Sequence, residues 1–333
     1  MDAGHPEDAL RLLETALAHA PTDPDALLLK AEALVLLDRW EDAEETLEGA
    51  AQAHPGDPVV LLATAELVVD CHPDDQAALE AARAMAFRAE GIARKRGDDP
   101  RLIGDLLRVQ GLALSTLGNS SEAVKAFESA RDLLGDDDDL AVDLAMALFE
   151  ALRFDDARAQ LEEVLPRQPE DARVHHYLGL LDERTGHGAL GEEHFARARQ
   201  LDPEQFPDPV HLREDDFTAA VERAFESLPE RVRTYLANVP VLVEDFPGVE
   251  DLQGDPPLSP LSLGMFRGLP GGARSHFDPW SQMPSSIVLF QKNLERYAGS
   301  EEELLEEIET TVLHEVGHYL GWDEEDLYER GLD

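Results

Sequence analysis

The chain has a single cysteine, Cys71, in 333 residues. No disulfide can close within it, and in its alanine-rich surroundings that thiol reads as a small buried apolar side chain. Positive charge is scarce: 28 Lys and Arg stand against 71 Asp and Glu, a formal net charge of −43 with a pI near 4.4. Nucleic acids and anionic membrane surfaces are recognised through basic patches, so neither is expected as a partner. No run of eighteen apolar residues occurs, which argues against a membrane-spanning helix. Met1 to Pro6 shows no basic segment leading into an apolar run, so no signal peptide is expected and the localisation expected is cytoplasmic. This length is enough for two domains, each with its own core.

What is present is first a repeat. Ala9, Ala43 and Ala77 are 34 residues apart, as are Ala123, Ala157 and Gly191, and so are the pairs Pro21–Pro55 and Pro169–Pro203. A large apolar residue follows five of these six small ones by four positions (Leu13, Leu47, Phe127, Leu161, Phe195), and another small residue often follows three later (Ala16, Ala50, Ala84, Ala130, Ala198). This pattern resembles the tetratricopeptide (TPR) repeat, a helix-turn-helix unit whose small residues let helices cross closely and whose proline ends the second helix. Gly111 and Gly179 match the small residue of the first helix. The resemblance implies an α-solenoid over residues 1–203: a half-unit near 6–21, then units near 24–57, 58–97, 98–137, 138–170 and 171–203. The interval from Ala77 to Ala123 is longer, so extra residues are expected in the second helix of that unit and its loop (88–100). Stacked units make a concave surface, so a protein partner in the TPR groove is expected. His175 and His176 are adjacent, with His187 and His194 nearby; adjacent helical residues do not face one another, so these read as structural or solvent-facing rather than as a second metal site.

Three prolines between Pro203 and Pro209 mark a stiff linker over 204–212. The remainder, 213–333, reads as a small α+β domain. Helices are expected near 215–227 and 230–237, strands at Val239–Val243 and Ser286–Phe290, and a short strand at Leu263–Arg267. A last helix begins near Ser300, a candidate N-cap with Glu303 completing a capping box. Glu301, Glu302 and Glu303 suit its positive end, Leu305, Ile308, Val312 and Val316 form its core stripe, and Gly321 stops it.

That helix carries His314-Glu315-Val316-Gly317-His318. Histidines four apart share one helix face, at a spacing that a single divalent metal bridges, and Glu315 beside the first can reach a water on that metal. Zinc is the expected ion. Only fifteen residues follow His318, which leaves little room for a ligand on a later helix. The pattern His-x-x-Gly-x-x-acid places Glu324 at the third-ligand position of metzincins. Asp323, one residue away, is the alternative, and His276 and Asp278 are weaker ones. No Met lies downstream, so the metzincin Met-turn is absent.

From about residue 213 onward the chain also resembles the zincin-like minimal metalloprotease family. The likeness runs through Phe217, Val221 and Leu228-Pro229, then Asn238-Val239-Pro240-Val241 and Val243-Glu244-Asp245. It continues in Leu263-Gly264, Gly268 and Arg274-Ser275, and ends in His314–Gly321. That family usually has Asp at the third-ligand position, where this chain has Glu324 beside Asp323. The resemblance implies a zincin-like fold, the metal helix beneath a small mixed sheet, with predicted peptidase activity.

The function expected is a zinc metallopeptidase acting on a peptide or protein substrate. His314, His318 and Glu324 would hold Zn²⁺, with Glu315 as general base. Tyr297, His276, Arg274 and Tyr319 are candidate oxyanion donors, Tyr319 being the one more suited to packing. The competing expectation is a non-enzymatic TPR scaffold whose zincin domain is structural or inactive; a structural zinc site usually has four protein ligands and no need of Glu315.

Overall fold

A computed structural model of the chain describes residues 6–254, 258–268, 285–322 and 326. Aspartates start most of the N-terminal helices. Asp23, Asp57 and Asp99 each stand before a proline at the first helical position, and each accepts a backbone N–H from the helix it opens. The missing proline N–H falls where the helix has no use for one. Asp137 and Asp171 cap in the same way without proline.

The result is a single helix α1 (Pro6–His19) followed by five antiparallel pairs. They are α2 (Pro24–Val35) with α3 (Trp40–Ala53), α4 (Pro58–Cys71) with α5 (Gln76–Arg96), and α6 (Pro100–Thr116) with α7 (Ser120–Leu134). The last two are α8 (Asp138–Glu150) with α9 (Phe154–Val164), and α10 (Ala172–Arg184) with α11 (Gly188–Leu201). This is the α-solenoid expected from the repeat. Small residues set the crossing: a Cβ added at Gly111 of α6 would stand 2.5 Å from the ring of Phe127 on α7. Ala43, Ala123, Ala157 and Phe127 are all fully buried.

The register is more subtle in the middle. α5 runs 21 residues and α6 17, where the other paired helices run 11 to 15, so the extra length is shared between two helices rather than confined to the second helix and its loop. Ala77 and Ala84, expected at packing positions, are exposed. Ala82, Ala86, Ala89 and Ala93 are buried instead, and Ala89 is the residue 34 before Ala123. Added helical turns rotate the buried stripe, so a period counted from the N-terminal side loses its face. Cys71 is only partly buried, against a cluster of Leu10, Leu34, Leu47 and Leu67.

By its contacts the chain divides into two units, Met1–His194 and Phe195–Asp333. In the second unit, 204–212 includes residues tied to the fold. Val210 N–H donates to the carbonyl of Glu295, and the buried Glu295 carboxylate accepts from Leu212 N–H at 3.2 Å. Then come α12 (Glu214–Ser227), α13 (Glu230–Tyr235), β1 (Val241–Glu244), α14 (Val249–Leu252), β2 (Gly264–Arg267), β3 (Ser286–Phe290), α15 (Gln291–Tyr297) and α16 (Glu301–Leu320). β1 starts one residue after Pro240, which has no N–H to give a ladder.

The sheet order is β1-β3-β2, with β1 parallel and β2 antiparallel to β3. β3 is buried along its whole length, as a central strand must be. Arg267 ties the sheet together, meeting Glu244 of β1 at 3.1 Å and the buried Asp251 of α14 at 2.8 Å. Phe217, Val221 and Ala224 of α12 share one core with Ile287 and Leu289 of β3 and Leu304, Ile308, Val312 and Val316 of α16. Leu304 is the buried leucine of that stripe and Leu305 only borders it. Among the described residues no helix is long and apolar enough to cross a membrane.

Candidate metal centre

α16 is positioned from both ends. Ser300 Oγ accepts from Glu303 N–H at 3.2 Å, while the Glu303 carboxylate takes the N–H of Gly299 at 2.8 Å. The reciprocal bond is therefore shifted by one residue from a strict capping box, the carboxylate taking the N–H of Gly299 rather than that of the N-cap Ser300. At the far end Gly321 adopts φ 89°, a left-handed C-cap open to glycine without strain.

Between these caps the buried stripe fixes the rotation of the helix and leaves His314 and His318 half-buried on a neighbouring face. Their rings meet edge-on at a centroid distance of 4.7 Å, and the two Nε2 atoms converge to 3.0 Å. Two zinc–nitrogen bonds of about 2.0–2.1 Å at a tetrahedral angle span about 3.3 Å, so the pair is within a few tenths of an ångström of a chelating separation. The ring of His318 is oriented from behind: its Nδ1–H donates to the carbonyl of Trp322 at 3.3 Å, which leaves Nε2 as the lone-pair nitrogen. The donor set therefore suits zinc for two of its ligands.

Glu315, next to His314 on the helix, is 5% exposed. Gly264 of β2 makes room for it. A Cβ at Gly264 would lie 2.6 Å from Thr311 Cγ2 and 3.3 Å from Glu315 Oε1. The strand thus passes against α16 at the catalytic candidate. Gly264, Thr311 and the Trp322 carbonyl are the parts of this site that reading the motif alone misses. Gly264 is visible in the sequence only as part of a family-like stretch, and a backbone carbonyl has no sequence signal.

Tyr319 is buried in the core, edge-on to Phe266 at 5.5 Å, and so serves packing as expected. Tyr297, at the end of α15, is 68% exposed. Glu324, Asp323, Asp278, His276 and Arg274 lie outside the described residues. Among the described residues no three His, Cys, Asp or Glu side chains converge as a metal set.

A family model described as zincin-like metallopeptidase matches residues 236–332, and a tetratricopeptide-repeat model matches residues 1–67 and 116–181. Among solved structures the chain is similar to pilF of Pseudomonas aeruginosa, with 18% identity over 65% of this chain and 90% of that one, at a TM-score of 0.49. It is also similar to YrrB, described as a TPR protein with an unusual peptide-binding site (17% identity, 58% and 93% covered, TM-score 0.41). A thermophilic TPR protein of Thermus thermophilus matches at 25% identity, with 56% and 91% covered and a TM-score of 0.42. No curated protein matches the chain. The chain carries tetratricopeptide repeats in its N-terminal region and a zincin-like metallopeptidase domain over residues 236–332.

Proposed function

We propose that the C-terminal unit is a zinc-dependent peptidase and that the repeats hold a protein partner or substrate for it. The observation that carries this reading is the convergence of His314 and His318 Nε2 at 3.0 Å, with the Glu315 carboxylate buried beside them on the same helix. His314, His318 and Glu324, or Asp323 next to it, would hold the ion. Zn²⁺ bound there supplies Lewis acidity, lowering the pKa of a water toward about 7 and polarising a carbonyl.

The chain's own residues supply the rest. Glu315 takes a proton from the attacking water and returns it to the departing amine. The water oxygen joins the carbonyl carbon, the C–N bond breaks, and both hydrogens end on the products. Gly264 keeps Glu315 in place without a side chain in the way. Among the described residues β2 has only β3 as a strand neighbour, so its other edge is suited to an extended peptide laid along it, passing the Glu315 carboxylate.

The test uses the full chain. Glu315→Gln is expected to keep zinc, by metal analysis, and to lose cleavage of casein or a peptide library. His318→Ala is expected to lose both. Glu324→Gln and Asp323→Asn, compared for zinc content, identify the third ligand. Cleavage unchanged in Glu315→Gln sinks the general-base role.

A further inference from the structure

A second pair of histidines converges in the repeat region. Gly179 of α10 and Gly191 of α11 face each other so closely that a Cβ at Gly191 would lie 3.0 Å from the Gly179 carbonyl oxygen. One turn away from that crossing on each helix stand His175 and His194. The close approach brings their Nδ1 atoms to 3.0 Å, with ring centroids 5.2 Å apart.

The far nitrogens decide what can lie between them. His175 Nε2 stands 3.1 Å from the Pro169 carbonyl, which can only accept, so that nitrogen carries the proton. His194 Nε2 faces Asp182 Oδ2 at 3.8 Å. Asp182 is 1% exposed; its Oδ1 takes Arg158 Nη2 at 2.8 Å, while its Oδ2 accepts no hydrogen bond. A buried carboxylate oxygen without a donor calls for the His194 Nε2–H. If both rings answer their acceptors, two Nδ1 lone pairs point at each other across 3.0 Å. A positive centre between them resolves the repulsion.

We propose that His175 and His194 bind a divalent transition metal through their Nδ1 atoms, solvent completing its coordination. Pro169 carbonyl and Asp182 carboxylate are the outer acceptors that orient ligating imidazoles in such sites. With nitrogen donors and no thiolate, the ion is of the zinc, nickel or copper class. The site shares no residue with the candidate peptidase centre.

Zn²⁺ is titrated by calorimetry into the full chain carrying His314→Ala and His318→Ala, so that the C-terminal pair is removed. One equivalent is expected to bind. Adding His175→Gln or His194→Gln weakens binding at least tenfold, while His176→Gln, whose ring meets Tyr177 instead, leaves it unchanged. In case either variant is misfolded by circular dichroism, long-range ¹H–¹⁵N NMR of the parent chain reads the same point. Both Nδ1 resonances are expected to shift with Zn²⁺. A pair that ignores Zn²⁺, held by a shared proton alone, overturns the proposal, as does binding that survives both glutamine variants.

Discussion

Gly264 shows what a single missing methyl can control. Its neighbours leave 2.6 Å to Thr311 Cγ2, far below any real contact of a Cβ, so Gly264→Ala must displace the Thr311 side chain or β2 itself at the level of Glu315. Overpacking of this kind costs about 1–3 kcal/mol. The expected outcome is a lowered urea midpoint for Gly264→Ala, restored in part by Thr311→Ser, which removes the opposing methyl. If cleavage is measured, the same variant is expected to lose about 100-fold in kcat/KM, the usual effect of an ångström-scale misplacement. A Gly264→Ala chain as stable as wild type contradicts the contact. The histidines themselves were legible at this scale, because four residues of helix bring two side chains to one face wherever the helix lies.

Helix ends were nearly as legible, since a cap involves only a few consecutive residues. Ser300→Ala removes the acceptor for Glu303 N–H and is expected to cost about 1 kcal/mol, read from chemical unfolding. The alternate donor, Gly299 N–H on the Glu303 carboxylate, remains, so the helix shortens at its start without dissolving. The repeat register was legible only in part. Ala43 and Ala157 are buried as the 34-residue spacing requires, whereas Ala77 is exposed and Ala89 takes the role. Which turn of a lengthened helix faces its neighbour is decided by packing, and composition as alanine-rich as α5 offers several equivalent stripes.

Across the whole chain the excess of acid leaves its mark on individual groups. Glu66 of α4 keeps solvent contact, yet burial among its neighbours, reinforced by Asp105 and Asp70 and opposed by Arg108, pushes it up to about 7. Between its ordinary 4.5 and that value the folded chain holds a proton that the unfolded chain has released. Stability from this group therefore falls as pH rises through the window. Glu66→Gln, which cannot ionise, is expected to raise Tm above wild type at pH 8 and to leave it unchanged at pH 4.5. Equal shifts at both values contradict the assignment. Nearby, Arg108 holds the buried Asp143 at 2.8 Å, joining α6 to α8, so the same acidity is partly neutralised where it is enclosed.

Local physics is what the sequence alone determined: helix periodicity, Asp-Pro starts, the strand at Ser286–Phe290, and two imidazoles four residues apart. Each follows from forces between residues close in the chain. The tertiary structure decided whatever depends on backbones meeting from far apart. It set β3 between β1 and β2, pressed Gly264 against Glu315, and brought His175 to His194 through a glycine-on-glycine crossing. Those contacts join residues separated by about a dozen to about fifty positions, and close packing rather than any local preference selects them.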